Sequence, residues 1–328
     1  MVKKLAYQPS FTLTSEIVSL VADIAEQIGR LNANPGFERN LHLRRINRIR
    51  TIVGSLAIEG NTLTEEQMTA ILDGKTVLAP PREVQEARNA LAAYDKLPDW
   101  NGLRESDLFA AHRMMMWGLL DHPGSYRSGG VGVMAGSEVI HMAPPARQVP
   151  RLMEQLFGWL RGTTEHPLIA SSVFHYEFEF IHPFSDGNGR MGRLWQTLLV
   201  SQWKPVFAWL PVESLVHRHQ AGYYRALQES TTATDCAPFI RFMLERIRDA
   251  VVKTVKTPQK TLLKTPQKTA PAILTLLRRK PDMSFQQVAA KLGKSESAVK
   301  RAVRSLREAG RLRRVGPDKG GHWEIIGE

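Results

Sequence analysis

Twelve consecutive residues, His182 to Arg193, read H-P-F-S-D-G-N-G-R-M-G-R and gather most of the chemistry in the chain. His182 can accept a proton near neutral pH, where an imidazole titrates. Asp186 is a hard oxygen ligand suited to Mg²⁺. Gly187, Asn188 and Gly189 let backbone N–H groups come close to an anion, and residues 190–203 read as a helix after them. A glycine turn leading into a helix N-terminus is an anion site, because the first N–H groups lack intrahelical partners and the dipole is positive there. Arg190 and Arg193 stand three apart, so they share a helical face and can grip a polyphosphate from one side. A lone Gly-x-Gly is weak, but here a base, a carboxylate, an anion loop and two arginines stand together.

Helices must position this stretch. Residues 167–180, with Ile169, Val173, Phe174, Tyr176, Phe178 and Phe180, form an aromatic helix buried on most sides that delivers His182 at its end. His175 on that helix reads as a satisfied core histidine. Residues 15–33 and 41–59 carry apolar residues at helical spacing, with Ser15 as the cap of the first. Gly60 and Asn61 terminate the second, which puts Glu59 in its last turn. A carboxylate at the negative end of its own helix is unfavourably placed by up to about 1 kcal/mol. That placement suggests a partner elsewhere.

Thr64-Glu-Glu-Gln67 is a capping box for a short helix to Leu72. Further helices are predicted at 82–97, 105–120, 148–161 and 236–252, and another starts near His219. In the 82–97 helix Glu83, Glu86 and Arg88 are assigned to water. The run Met114–Met116 is core packing rather than a metal box. Val131, Val133, Met134 and then Val139, Ile140 flank Ala135-Gly136-Ser137, which reads as a β-hairpin, with His141 in the loop that ends it. Tyr223 and Tyr224 are candidates to stack on a purine.

The twelve-residue stretch resembles the Fic signature, H-x-F-x-[D/E]-G-N-G-R-x-x-R, without mismatch at its fixed positions. Ser55, Glu59 and Gly60 resemble that family's inhibitory motif, [S/T]-x-x-x-E-[G/N], placed ahead of the core. The resemblance implies a mainly α fold: a helical bundle with a β-hairpin flap. It implies transfer of AMP from ATP, with Mg²⁺, onto a Ser, Thr or Tyr hydroxyl of a protein, the chain itself included. His182 would be the base and Asp186 the metal ligand. Gly187, Asn188, Gly189, Arg190, Met191, Gly192, Arg193, Tyr223 and Tyr224 would line the nucleotide site. Glu59 would take the γ-phosphate position by pairing with Arg193, and the hairpin would dock the target segment by strand addition. An asparagine that commonly follows eight residues after the first tyrosine is Thr231 here, which leaves base selectivity open.

The net charge of +12 is localised. Residues 1–249 hold 26 basic and 26 acidic side chains, whereas residues 250–269 hold five lysines and no acid. Residues 270–328 hold 13 basic and six acidic side chains. A neutral body therefore carries a basic appendage fit to meet a polyanion. Residues 253–269, with K-T-P-Q-K-T twice, read as an exposed linker. Residues 270–328 resemble a winged helix-turn-helix, with Ser297, Lys300, Arg301 and Arg304 facing out from its third helix toward DNA or a protein partner. The organisation expected is an N-terminal helical region at 1–110 with the inhibitory helix at about 43–60, a core at 111–252, the linker, and the winged helix.

No apolar run approaches a membrane span. The single cysteine, Cys236, and the polar N-terminal segment fit a cytoplasmic protein. A homodimer is compatible with the sequence. Three other readings stay open: a transferase of another nucleotide or phosphoryl group, a DNA-binding regulator whose core only senses nucleotide, and a Glu59-dependent removal of AMP.

Overall fold

The structure is a computed structural model that describes residues 7–32, 41–135, 138–256, 269–308, 310–316 and 321–326. The chain divides into two compact units, residues 1–257 and 258–328.

The first unit is helical. Helix α1 (Ser15–Asn32) lies along the last helix of the unit, α11 (Ala237–Lys256). The α1 cap is Thr14 rather than Ser15, since the Thr14 hydroxyl accepts from the Ile17 N–H at 3.2 Å. Helix α2 (Leu41–Ile58) buries Leu43, Ile49, Ile52 and Leu56. It ends in a Schellman turn. Gly60, at φ +88°, donates to the Ala57 carbonyl, and Asn61 donates to the Leu56 carbonyl at 3.2 Å. Glu59 is the capping residue just past the helix. Helix α3 (Glu65–Leu72) carries the predicted box between Thr64 and Gln67.

Helix α4 (Pro81–Lys96) is followed by a 3-10 turn at Leu97–Asp99. Helix α5 (Glu105–Met115) stops five residues short of the predicted end. The chain turns at Gly118, at φ +69°, and Leu119 donates to the Met116 carbonyl. Helices α6 (Val149–Gly162), α7 (Pro167–Ile181) and α8 (Asn188–Trp203) form the centre, with α7 packed on both α6 and α8. Twelve of the fifteen α7 residues are buried, as its aromatic composition requires.

After a 3-10 turn at Pro205–Trp209 comes α9 (Val212–Arg218), a short helix that periodicity did not reveal, and then α10 (Gln220–Ala233). Helix α9 packs against α2 at Gly54. A Cβ there would stand 2.6 Å from the Ser214 backbone nitrogen, so only glycine lets the two backbones approach this closely.

The hairpin interrupts the helices. Strand β1 (Gly132–Ala135) pairs antiparallel with β2 (Glu138–Met142), with a bulge between Val133 and Met134. His141 is a β2 residue opposite Val133, not a loop residue. Val131 lies one position ahead of β1, where its carbonyl accepts from the Ala143 N–H at 3.3 Å. The two strands pair only with each other among the described residues. The tip, Gly136 and Ser137, lies outside those residues.

In the second unit, α12 (Thr269–Arg279), α13 (Phe285–Leu292) and α14 (Glu296–Glu308) precede a hairpin of β3 (Leu312–Val315) and β4 (His322–Ile325). Ile273, Leu277, Val288, Val299, Val303, Leu306, Leu312 and Trp323 form its core. Ser284 caps α13 with Gln287 as the reciprocal partner. Ser297, Lys300, Arg301 and Arg304 are exposed on α14. Of the predicted linker, residues 253–256 are helical in α11, and 257–268 lie outside the described residues. No described helix is long and apolar enough to cross a membrane.

Candidate active site

His182 ends α7 in the left-handed region, at φ +49° and ψ +62°. Such a backbone costs a non-glycine residue about 1–2 kcal/mol and turns the chain sharply out of the helix. The loop from His182 to Gly187 then leads into α8. Phe184 anchors it from below, fully buried against Phe109, Tyr126 and Phe178. Asn188 closes it: its Oδ1 accepts from the Phe184 N–H at 2.9 Å, and its Nδ2 donates to the Phe184 carbonyl at 2.8 Å. The Asn188 side chain, 1% exposed, thus holds the loop through both of its polar atoms.

The α8 N-terminus is built for an anion. Gly187 caps it at φ +83° with no side-chain cap bond, which leaves the first N–H groups for an outside acceptor. A Cβ on Gly189 would lie 2.3 Å from Glu59 Oε1. The Glu59 carboxylate thus rests over the first turn of α8, at the positive end of a 16-residue helix. The awkward placement at its own helix end is answered there.

Arg193 completes the contact. It is 2% exposed and donates from Nη2 to Glu59 Oε1 at 2.7 Å and to the Ser55 carbonyl at 3.0 Å. Its Nε donates to Ser55 Oγ at 3.1 Å. Burial works against the Arg193 charge, but Glu59, Tyr223 and Glu179 together hold its pKa above the ordinary value. Arg190, 3% exposed, donates to Asp186 Oδ1 at 3.1 Å and lies 3.5 Å from Glu86 Oε1. Its Nε and Nη1 have no hydrogen-bond acceptor of normal geometry. Two buried guanidiniums on one helix face, one with spare donors, form a cradle for a polyanion.

His182 is the candidate base. Burial lowers its pKa; the Glu179 charge and carbonyl oppose that, Arg127 adds to the lowering, and Glu59 opposes it. The net direction keeps the imidazole neutral at neutral pH, the form that accepts a proton. Its Nδ1 is buried without a hydrogen-bond partner.

Asp186 presents one oxygen for a metal. Oδ1 accepts from the Gly187 N–H and from Arg190, whereas Oδ2 has only a long 3.4 Å contact with Arg82. No group of three or more metal-binding side chains occurs among the described residues. One carboxylate beside an anion cradle fits Mg²⁺ carried largely by substrate phosphates and water, the usual way that ion is held.

The two tyrosines separate. Tyr223 is 2% exposed, and its hydroxyl lies 3.2 Å from His175 Nε2. His175 also meets Gln196 at 2.6 Å, so both are satisfied core residues. Tyr224, packed edge-on against Tyr223, is the half-exposed one and the ring left to meet a base. Thr231 is taken up by Tyr176 and the Leu227 carbonyl. Met191 and Gly192 are buried in the α8 packing, and a Cβ on Gly192 would collide with Glu179 and His175.

The assignment of Glu83 and Glu86 to water is corrected. Glu83 accepts from the Thr62 N–H at 2.7 Å, and Glu86 accepts from Asn61 Nδ2 at 2.9 Å. Both carboxylates tie down the turn that follows Glu59. Two supports carry no sequence signal. His112 Nδ1 accepts from the Gly124 N–H at 2.8 Å, which fixes the tautomer and leaves Nε2 to donate to the Asp186 carbonyl at 3.0 Å. Its ring stacks on Phe184 with centroids 3.7 Å apart. Arg127 holds the other end of the loop, at the His182 carbonyl.

Residues 102–200 match the Fic/DOC family, and residues 267–313 match a winged helix-turn-helix DNA-binding family. The crystal structure of a Fic family protein from Desulfovibrio desulfuricans G20 is 46% identical over 98% of this chain and 99% of that chain, with a TM-score of 0.77. The chain belongs to the Fic family. A Fic domain containing signaling protein from Bacteroides thetaiotaomicron shares the fold, at 18% identity and a TM-score of 0.58 over 74% of this chain and 96% of that one. Protein adenylyltransferase Fic of Nematostella vectensis is 29% identical over 61% of this chain, and that of Culex quinquefasciatus 29% over 60%. The match spans 47% and 39% of the length of these two relatives, less than half of either. In this Fic protein, as predicted, a C-terminal winged helix follows the core.

Burial lowers the His112 pKa from 6.5 to about 4. Between those values the unfolded chain binds a proton that the folded one does not, so stability falls as pH drops through that window. The loss is about 3 kcal/mol at most. His112→Gln cannot ionise, so urea unfolding at pH 7 and pH 4.5 should show a gap between the two pH values narrower by about 2–3 kcal/mol.

Proposed function

We propose that this Fic protein is a protein adenylyltransferase that moves AMP from ATP to a Ser, Thr or Tyr hydroxyl and is held slow by Glu59. The observation that carries the reading is the carboxylate of Glu59 on Arg193 at the α8 N-terminus, where a terminal phosphate would also be drawn.

In this reading His182 takes the proton of the target hydroxyl. The oxygen attacks the α-phosphorus, the bond to the β-phosphate oxygen breaks, and pyrophosphate leaves. Asp186 would hold Mg²⁺, which neutralises phosphate charge and needs no covalent step. The α8 N–H groups and Arg190 hold the phosphates, and the reaction is driven by positioning and electrostatics. Arg193 is buried, so leaving it without an anion is costly. Glu59 and a γ-phosphate are alternatives for that role, and the resting protein favours Glu59. Tyr224 is the ring for the adenine, and the free edges of β1 and β2 are where an extended target segment would add. The same Glu59 could instead orient water for AMP removal, and the assay below separates the two uses.

The winged helix is proposed to meet DNA. Its match to a DNA-binding family and the exposed Lys300, Arg301 and Arg304 support this. Such side chains on one helix contact phosphates and give affinity without sequence choice.

Three outcomes are expected. His182→Ala should abolish incorporation of label from α-labelled ATP while calorimetry still registers ATP binding; full residual transfer would mean another base. Glu59→Gly should raise self-modification about tenfold or more, read as the mass of one AMP residue added per chain. No rise would remove the inhibitory role, and AMP release by wild type that is lost in Glu59→Gly would assign the residue to hydrolysis. Changing Lys300, Arg301 and Arg304 together to Ala should weaken a duplex-DNA mobility shift and reduce its salt slope by about 3.

A further inference from the structure

Arg127 lies in the loop between α5 and β1 and is 6% exposed. Its guanidinium reaches four backbone carbonyls from three sides. Nε donates to His182 at 2.7 Å, Nη1 to Gly129 at 2.8 Å, and Nη2 to Ile181 at 3.3 Å and also to Pro144. Its own N–H donates to the Pro183 carbonyl at 3.0 Å. One residue therefore holds the carbonyls of 181, 182 and 183 in succession.

Among the described residues no carboxylate pairs with this cation, and burial lowers its pKa. A buried guanidinium facing only neutral carbonyls is a costly arrangement, offset by its several charge-assisted bonds and by its place at the negative end of α7. It also answers a question set by His182. A non-glycine residue persists in the left-handed region only where its surroundings over-determine it. The clamp on both flanking carbonyls supplies that constraint. The remaining two bonds, to Gly129 and Pro144, fall on the chain entering and leaving the β1–β2 hairpin.

We propose that Arg127 is a positioning residue that fixes the backbone of His182 and fastens it to the base of the hairpin, so that proton acceptor and docking edge share one rigid mount. The docking half rests on the reading of the hairpin given above. Arg127 touches no substrate in this scheme. It acts through the distance between the strand that receives the target and the imidazole that takes its proton.

Lysine keeps the charge but cannot span four carbonyls with one ammonium, so Arg127→Lys isolates geometry from charge. Arg127→Met removes both. Each is made in wild type and in Glu59→Gly, with thermal melting and ATP binding as folding controls. The primary readout is amide hydrogen exchange, which needs no activity. Arg127→Lys should lower protection by about tenfold both at His182 and Phe184 and across the hairpin strands, with α1 and α11 unchanged. In Glu59→Gly it should also cut kcat for transfer about a hundredfold, the scale of a 1 Å misplacement, while ATP affinity holds. Arg127→Met should do the same without further loss, because the clamp and not the charge is what matters.

Exchange that changes at the loop but not the hairpin would overturn the shared mount. Unchanged exchange at both, or full activity of Arg127→Lys, would overturn the positioning role. A Glu59→Gly parent with no transfer at all would instead refute the proposed function, and the exchange data would still decide Arg127.

Discussion

A guanidinium with 2% exposure must be matched by close acceptors, and this demand of Arg193 organises the site around it. Stripping water from a charge costs several kcal/mol, recovered by close hydrogen-bond acceptors in good geometry and most fully by a partner of opposite sign. Arg193 meets three acceptors on the end of α2: the Ser55 hydroxyl, the Ser55 carbonyl and the Glu59 carboxylate. Helix α2 is thereby joined to α8 by polar contacts. The N-terminus of α8 adds the attraction of its unpaired N–H groups to the same carboxylate.

The remaining apparatus keeps the loop before α8 in one conformation. Phe184 supplies the apolar anchor, Asn188 returns both of its amide atoms to Phe184, His112 bonds the Asp186 carbonyl, and Arg127 takes the carbonyls around His182. These bonds go to backbone. A loop held through its carbonyls keeps its course whatever its own side chains are doing. Preorganisation of this kind is what positioning and electrostatic catalysis require.

The sequence disclosed the elements whose signals are local. The apolar period of α1 and α2, the capping box at Thr64, the glycine stop at Gly60 and the aromatic face of α7 each rest on a few neighbouring residues. The signature from His182 to Arg193 was legible because base, carboxylate and arginines stand together. What stayed hidden depends on distance along the chain. Glu86 has the spacing of a solvent-facing residue on α4, and nothing near it announces that Asn61 and Arg190 converge on it from opposite directions. His112 and Arg127 act on main-chain oxygens, which every residue has, so no partner type could give them away. Tyr223 and Tyr224 look alike in sequence, and only the packing of α10 decides that one is core and the other half-exposed. Helix α9 is seven residues long, below the length at which a period can be read.

The contact at Gly54 has a mechanical meaning. Where α2 crosses α9, backbone lies against backbone with no side chain between them, leaving nothing to compress. Interlocked surfaces of this kind shift in whole steps or not at all. The close approach resists sliding of α2 past α9, and the carboxylate of Glu59 keeps the freedom of its own rotatable bonds. Movement at the Glu59 side chain thus needs no movement of the helix behind it.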